Sequence, residues 1–378
     1  MADNKDKKVL NVPALRFPEF TEKWKEYAIG KVLSIGNGRD YKHLHTGDIP
    51  VFGTGGYMTS VDDFLYDGES VFIGRKGTIN KPLYYNGKFW TVDTLFYTHS
   101  FVNVLPKFVY CLFQTINWLK YNEASGVPSL SKATIEKIKV CIPSMDEQDK
   151  LSNLLFLLDK RIEVQNKIIE KLQSLIKGLV VTHYSTTDHT IKVKIQDLGK
   201  AYSTMVMSKE QLTNDGNPCI FYGELFTFYG CVIDKIKSRT NLEKASSTLS
   251  HGRDLLFPAS TTVDALSLIA PSALMQKGII LGGDMFGIKV AETYNPIYLS
   301  YYFNYIANKR LSKYAKGTTI IHLHYNEIAN IAIELPSIEE QAKVVSTIQG
   351  YSTKLSIEET ILEKLSELKL CLLNQMFI

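Results

Sequence analysis

The sequence predicts a mixed α/β (α+β) fold: two similar globular domains, related by a pseudo-twofold axis and separated by two long antiparallel coiled-coil helices. First, residues 138–151 and 331–344, which begin 193 positions apart, share one pattern that continues without a gap to 168–172 and 361–365. Second, each copy opens a long proline-free stretch with apolar residues at helical spacing. Third, the preceding regions mix glycine, aromatic and β-branched residues in short apolar runs. A repeat unit this long exceeds the ~20–50 residues of a solenoid repeat and indicates a duplicated domain.

Each copy of the repeat begins with a short strand and a helix start. Residues 138–142 alternate apolar and polar side chains, as a half-buried strand does, and a proline then ends the strand. Ser144 or Ser337 is a natural N-cap, and Glu147 or Glu340 follows three residues later. This spacing predicts a capping box at the start of each long helix.

The long stretches predict helices of roughly 35 residues, or ~50 Å at ~1.5 Å per residue. Each could lie separately on its own domain, but that length exceeds the ~10–14 residues of an average globular helix. We therefore expect the two apolar stripes to pack on each other as a coiled coil. The stripe residues expected to form these spacer helices are Leu151, Leu155, Leu158, Ile162, Ile169, Leu172, Ile348, Leu355, Leu362 and Leu365.

The globular regions share a second feature, an amphipathic segment that follows a proline, at 106–119 and 296–306. Two helices and two such regions divide the 378 residues into four predicted parts. The boundaries are 1–143 and 184–336 for the globular domains, and 144–183 and 337–378 for the helices.

Composition excludes several classes of protein. No apolar run reaches the ~18 residues of a membrane span, so no membrane contact is expected. The charged residues 1–8 do not read as a signal peptide. Five scattered cysteines argue against a zinc site or a disulfide framework and fit a cytoplasmic protein. A net charge of +4 permits nucleic-acid binding without requiring it.

No catalytic or metal-binding motif is complete. Residues 74–78 place the lysine before the glycine, which is wrong for a phosphate-binding loop, and no dinucleotide fingerprint follows a strand. His322 and His324 lack further ligands at metal spacing. Residues 295–298, Asn-Pro-Ile-Tyr, approach an adenine-methyltransferase tetrapeptide but lack its second proline and a cofactor loop upstream. We expect no catalytic residue and no metal.

Polar and basic residues instead cluster on predicted loops. Such side chains contact phosphates and base edges, although a solvated surface also explains any one of them. The clusters at 126–132 and 317–325 occupy matching places with different side chains, as two readers of different sequences would. The candidate DNA-binding residues are Arg39, Lys42, His43, His45, Arg75, Lys76, Thr78, Ser129, Ser131, Lys132, Lys237, Arg239, Lys316, Thr318, Thr319, His322 and His324.

The chain resembles the specificity subunit of type I restriction–modification systems along essentially its whole length. The resemblance rests on 142–148 (Ile-Pro-Ser-Met-Asp-Glu-Gln) and 335–341 (Leu-Pro-Ser-Ile-Glu-Glu-Gln), together with 71–78 and 126–130. The second copy departs from the pattern, because Phe-Pro-Ala-Ser at 257–260 replaces Gly-Arg-Lys-Gly. The roles of Arg75 and Lys76 therefore cannot be transferred to it.

The resemblance implies that each globular region is a target-recognition domain for one half of a bipartite double-stranded DNA target, and that the helices set the spacer. It implies a non-catalytic subunit that recruits two modification (methyltransferase) subunits and restriction subunits. S-adenosylmethionine, ATP and Mg²⁺ would bind those partners, with no cofactor in this chain. Two alternatives remain: a self-contained DNA adenine methyltransferase, and a coiled-coil adaptor that contacts only protein.

Overall fold

The computed structural model describes residues 11–187 and 190–378; the charged start of the chain, 1–8, lies outside them. The chain divides into two compact units. The first unit comprises Met1–Lys167 and Glu359–Ile378, and the second comprises Ile168–Glu358. Each long helix therefore contributes one part to each unit.

The first unit contains a six-stranded sheet in the order β2-β7-β5-β6-β3-β4. Neighbouring strands are antiparallel except β3 and β6, which run parallel, and β1 pairs separately with β8. The strands are β1 Lys25–Ala28, β2 Ser34–Asn37, β3 Thr46–Gly53, β4 Gly56–Val61, β5 Tyr66–Gly74, β6 Leu83–Thr91, β7 Leu95–His99 and β8 Lys139–Ile142. The helices are α1 Ile29–Val32, α2 Pro106–Thr115, α3 Lys132–Lys137 and α4 Met145–Thr186.

The second unit contains two five-stranded sheets, in the orders β10-β20-β16-β18-β13 and β11-β14-β12-β19-β15, and the pairs β9–β22 and β17–β21. Its strands are β9 Ile191–Lys194, β10 Gly199–Ser203, β11 Leu212–Thr213, β12 Asn217–Phe221, β13 Val232–Ile233, β14 Ser238–Thr240, β15 Leu249–His251, β16 Asp254–Pro258, β17 Ser260–Thr261, β18 Ser272–Leu274, β19 Lys277–Gly282, β20 Met285–Val290, β21 Ile321–His322 and β22 Ala332–Leu335. Its helices are α5 Glu224–Thr227, α6 Pro296–Tyr302, α7 Asn308–Leu311, α8 Tyr325–Ile328 and α9 Ile338–Met376. The predicted mixed α/β class is confirmed.

The two units share a frame in which β2, β5 and β7 correspond to β10, β16 and β20. One cross-strand contact is mirrored between them: Gly36 of β2 faces Tyr97 of β7, whereas Tyr202 of β10 faces Gly287 of β20. A Cβ atom on Gly36 would lie 2.1 Å from the Tyr97 ring, and one on Gly287 would lie 2.2 Å from the Tyr202 ring. Each unit thus places one aromatic ring over one glycine, from opposite strands.

The helices α4 and α9 are long and continuous, as predicted from periodicity, and run antiparallel, as predicted from the duplication. In the first unit Asp159 Oδ1 lies 2.6 Å from Lys369 Nζ. In the second unit His183 Nε2 lies 3.5 Å from Glu340 Oε2. A later residue of α4 thus meets an earlier residue of α9.

The ten predicted stripe residues are buried or half-buried. Leu151, Leu155, Leu158, Ile169, Leu172 and Ile348 are buried, and Ile162, Leu355, Leu362 and Leu365 are half-buried. No helix in 11–187 or 190–378 combines the length and apolar character needed to cross a membrane.

A buried glutamine in each repeat copy joins the start of the long helix to the N-cap of the helix that begins with a proline, α2 in the first unit and α6 in the second. Gln148 Oε1 accepts a 2.9 Å hydrogen bond from the backbone N–H of Leu105, the N-cap residue of α2, and its Nε2 donates to the Pro143 carbonyl. Gln341 Oε1 accepts a 2.9 Å bond from Asn295 N–H, at the N-cap of α6, and its Nε2 donates to the Pro336 carbonyl. This shared glutamine clasp is a structural reason for the repeated motif.

The predicted capping boxes are wrong for their glutamates, because the carboxylates of Glu147 and Glu340 bind other partners. Ser337 does accept a hydrogen bond from Glu340 N–H at 3.3 Å, but the Glu340 carboxylate faces Lys343 and His183. The Glu147 carboxylate is buried and bound by Arg16 and Trp24. The motif alone could not show this, because the partners of Glu147 lie more than 120 residues away.

Substituting Gln148 or Gln341 with alanine is expected to lower the free energy of unfolding by about 1–3 kcal/mol, because a buried backbone N–H loses its acceptor. Urea unfolding of the full chain provides the measurement. The matched controls are Gln173→Ala on α4 and Gln349→Ala on α9, both exposed positions, which are expected to leave the midpoint unchanged. Equal midpoints for clasp and control variants would contradict a structural role for the clasp.

Candidate nucleic-acid interface

In the first unit the loop after β5 and the segment before α3 are held together by backbone hydrogen bonds. Gly77 N–H donates to the Pro128 carbonyl at 2.8 Å, and Leu130 N–H donates to the Arg75 carbonyl at 2.9 Å. Lys76 and Ser129 form an isolated β-bridge. Two predicted clusters, about fifty residues apart in sequence, therefore meet. We call residues 75–78 and 129–132 the first loop cluster.

The candidate residues at 39–45 approach the same region through the β6–β7 turn. Arg39 N–H donates to the Thr91 carbonyl at 2.8 Å, and the Trp90 indole N–H donates to the Arg39 carbonyl at 2.8 Å. Arg75 N–H donates to the Thr94 carbonyl in this turn. His43 packs edge-on against Trp90, with ring centroids 5.8 Å apart. The end of β6 thus anchors the 39–45 loop, and the turn that follows it anchors the first loop cluster.

Several side chains of the first loop cluster project into solvent, whereas others are engaged within the protein. Arg75, Lys76, Thr78 and Lys132 are exposed. The Arg75 guanidinium lies 5.8 Å from the Phe96 ring centroid. Ser131 is the N-cap of α3, accepting from Thr134 N–H at 3.2 Å, so its hydroxyl already has a local role. The other candidate residues of the first unit, Lys42, His45 and Ser129, are exposed or half-buried.

The second unit presents an equivalent second loop cluster, residues 259–261 and 316–324. Ala259 N–H donates to the Asp284 carbonyl at 2.8 Å, as Arg75 does to Thr94, and Leu323 N–H donates to the Ala259 carbonyl at 2.9 Å, as Leu130 does to Arg75. Ser260 pairs with His322 where Lys76 bridges Ser129.

This pairing assigns Ala259 to the place of Arg75, and Ser260 to the place of Lys76. The alignment of 257–260 with Gly-Arg-Lys-Gly suggested by the sequence is therefore wrong by one residue. Strand pairing decides it, because Gly74 faces Leu95 and Pro258 faces Met285.

The structure places Lys237 and Arg239 elsewhere, on and beside β14 of the other sheet. Lys237 Nζ lies 4.8 Å from the Phe228 ring centroid, and Arg239 Nη1 donates to the Gly216 carbonyl at 2.9 Å.

Within the second loop cluster, Lys316 forms a 2.8 Å ion pair with Glu327, and Thr318 and Thr319 are exposed in the turn that follows. Lys316 lowers the pKa of Glu327 through a hydrogen bond. A cleft of about 850 Å³ lies beside this cluster, lined in part by Tyr202, Tyr222, Asp284 and His324.

The tip of the β3–β4 hairpin is a surface that sequence reasoning missed. Tyr57 and Met58 are 64% and 51% exposed there, after Gly56 in the left-handed region at φ +105°. A Cβ atom on Gly77 would lie 3.7 Å from Thr54 Oγ1, so the tip adjoins the first loop cluster. The available signal was a Gly-Gly pair between two alternating runs, which is typical of a hairpin.

The tetrapeptide at 295–298, which resembles an adenine-methyltransferase motif, forms the start of α6. The Asn295 side-chain oxygen accepts hydrogen bonds from the N–H groups of Ile297 and Tyr298, at 2.9 and 3.2 Å. Tyr298 is buried in the core of the second unit at 2% exposure. Within the described residues no group of three or more histidine, cysteine, aspartate or glutamate side chains is placed to hold a metal ion.

Duplicated units with equivalent loops that carry different side chains define a two-domain recognition protein. Residues 21–174 and 189–367 both match the type I restriction modification DNA specificity domain. The chain belongs to this family, with two copies of its domain.

Known proteins and structures agree with this assignment. The chain is 22% identical over 323 residues to a protein of Haemophilus influenzae named as a type I restriction enzyme specificity subunit, covering 82% of this chain and 81% of that protein. It is 23% identical over 341 residues to the type I restriction enzyme MjaVIII specificity subunit of Methanocaldococcus jannaschii, covering 82% and 76%. The fold matches the crystal structure of a type I restriction–modification S subunit from M. genitalium, with a TM-score of 0.65, 14% identity and coverage of 97% and 99%. A structure from work on complex assembly of the type I system matches with a TM-score of 0.50, 13% identity and coverage of 93% and 97%.

Proposed function

We propose that this chain is the DNA-reading subunit of a type I restriction–modification complex and that each unit recognises one half of a bipartite target. The observation that carries the proposal is the equivalence of the two loop clusters. The same backbone hydrogen bonds hold Arg75, Lys76 and Ser129 in one unit and Ala259, Ser260 and His322 in the other. A fixed frame with different side chains is what two readers of different base sequences require, because base edges differ in donors and acceptors.

The first loop cluster suits contact with a duplex. Arg75 and Lys76 are exposed cations on a loop fixed by backbone bonds to the β6–β7 turn and to residues 128–130. An arginine can form two hydrogen bonds to guanine, whereas lysine and backbone N–H groups hold phosphates. The exposed Tyr57 and Met58 extend the same surface with apolar contact area.

The long helices would set the distance between the half-sites and bind partner subunits. Supporting this, α4 and α9 are unbroken over 42 and 39 residues and carry a stripe of buried and half-buried apolar residues. We propose that the chain itself is non-catalytic and cytoplasmic. Two modification subunits would supply S-adenosylmethionine and adenine methylation, and restriction subunits would supply ATP- and Mg²⁺-dependent activity. A self-contained methyltransferase gains no support, because Asn295 and Tyr298 are used as a helix cap and a core residue.

Arg75→Ala is expected to lower methylation at the chain's own target by roughly tenfold to a hundredfold, as the loss of a bidentate base contact does. The measurement is adenine-methylation mapping in cells that express the chain with its modification subunit. Targets with other bases should become methylated at one half-site only, because the second unit is unchanged. The control is Arg310→Ala, which removes the same charge from an exposed position on α7. Unchanged methylation by the Arg75 variant would contradict base reading by the first loop cluster.

A further inference from the structure

The second unit has its own counterpart of the candidate loop at 39–45, and that counterpart carries an exposed valine. The strand pairs β2–β7 and β10–β20 align Asn37 with Ser203. Three residues further on, Val206 takes the place of Asp40. Val206 is 93% exposed, more than any other large apolar side chain in the part of the chain that the structure describes. A single exposed apolar residue is ordinary on a protein surface, so the surroundings of Val206 decide its role.

Val206 lines the cleft of about 850 Å³ that lies beside the second loop cluster. The rings of Tyr202 and Tyr222 and the carboxylate of Asp284, which is 43% exposed, line it as well. None of the described residues that line this cleft is a lysine or an arginine. Phosphates attract such cations and are repelled by a carboxylate, so the cleft disfavours the DNA backbone. A base edge carries no net charge and presents amino and methyl groups in the major groove, so it is the part of DNA that the cleft suits.

Asn326 lines the same cleft from α8 and is exposed. It is the second residue of its helix, after the cap His324, as Ala133 is the second residue of α3 after the cap Ser131. An asparagine side chain can donate to adenine N7 and accept from the adenine N6 amino group, whereas alanine offers no polar group. The first unit therefore has no equivalent of this amide at the matching position.

We infer that the cleft of the second unit reads one thymine–adenine base pair of its half-site in the major groove. Val206 packs on the thymine 5-methyl group, and the Asn326 amide bonds to the adenine edge. The inference rests on the proposed function and names two residues and the base pair that they select. Within one base pair the thymine methyl group and adenine N6 and N7 share the major-groove edge, so a single cleft can receive both.

Replacing thymine with deoxyuridine tests the methyl contact, because the two bases differ only by that methyl group. The dissociation constant of the full chain with its modification subunits is measured on duplexes in which each thymine of the second half-site is replaced in turn. The second half-site is the one whose recognition Arg75→Ala leaves unchanged. One replacement is expected to weaken wild-type binding about fourfold, as the loss of one buried methyl group does. Val206→Ser should remove that difference, and Val181→Ser, at an exposed position on α4, should keep it.

Replacing adenine with 7-deazaadenine in the same base pair tests the asparagine contact, because this base lacks the N7 acceptor. Wild-type binding is expected to weaken roughly fivefold, as the loss of one hydrogen bond does. Asn326→Ala should bind the two duplexes equally. The control is Asn330→Ala, at an exposed position after α8, which should keep the wild-type difference.

The two base analogues change the DNA alone, so the wild-type results do not depend on the folding of any variant. The inference fails if no thymine of the second half-site gives a difference that requires Val206, or if the two sensitive bases lie in different pairs. Either result leaves the proposed function standing. A wild-type complex that binds the mapped duplex no better than a scrambled duplex would overturn the proposed function as well.

Discussion

Removing four residues from each long helix, within 155–172 of α4 and within 355–371 of α9, is expected to shorten the spacer of the methylated sequence. Four helical residues span ~6 Å at ~1.5 Å per residue. One base-pair step is ~3.4 Å, so the change corresponds to about one or two base pairs. Methylation of the original target should fall to background, because its half-sites no longer match the separation of the two units.

Both helices must be shortened because their packing contacts run in opposite directions. Asp159 meets Lys369 and His183 meets Glu340, so a deletion in α4 alone would displace one set of contacts against the other. Methylation mapping again supplies the measurement, and the bases of the two half-sites form an internal control. If a complex with the shortened chain still methylated the target with its original spacer, the helices would not set the spacer; altered half-site bases would indicate damage to the loop clusters.

Glu147→Ala is expected to lower the free energy of unfolding of the first unit by about 3 kcal/mol, the lower end for a buried pair, because it leaves the half-buried Arg16 without its counter-ion. Glu147 is 1% exposed and Arg16 12% exposed, with both Arg16–Glu147 hydrogen bonds at 2.7 Å. The Glu147 hydrogen bond raises the pKa of Arg16, so the guanidinium stays charged. The indole N–H of Trp24 also donates to this carboxylate, at 3.2 Å, and would lose its acceptor.

The second repeat copy provides the matched control, Glu340→Ala. Glu340 holds the same motif position but is 37% exposed, and we expect an unchanged unfolding midpoint. Tryptophan fluorescence during urea unfolding reports the first unit, because the three tryptophans, Trp24, Trp90 and Trp118, all lie in it, and circular dichroism of the same samples follows the second unit, which holds Glu340. Similar effects of the two substitutions would show that the Arg16–Glu147 pair does not stabilise the first unit.

The long helices were predictable because their information is local. Leu151, Leu155 and Leu158 repeat at three- and four-residue steps, and no proline interrupts the pattern over either helix. The same locality made the prediction fail at Glu147, whose partner Arg16 is set by tertiary packing.

The sequence predicted which residue types form the candidate interface. It did not predict which of its loops lie next to each other. Loop positions of Arg75 and Ser129 followed from the pattern, but their meeting depends on backbone bonds between distant segments. Strand register was also needed to match Ala259 with Arg75. Shifting the alignment of the two copies by one residue changes their sequence similarity very little. Lys237 and Arg239 resembled a basic cluster by composition alone, and the fold places them beside and on β14 of a different sheet.

The mirrored aromatic–glycine contact limits how new specificities can arise by recombination. A chimera that received β10 in place of β2 would bring a second tyrosine against Tyr97, where even a Cβ atom lies 2.1 Å from the ring. The reverse transfer would set glycine against Gly287 and leave a void in the sheet. Neither strand can be inherited alone, so crossovers that preserve folding should fall outside the sheets. The long helices, where the two copies remain alike, are the natural breakpoints for shuffling whole reading domains.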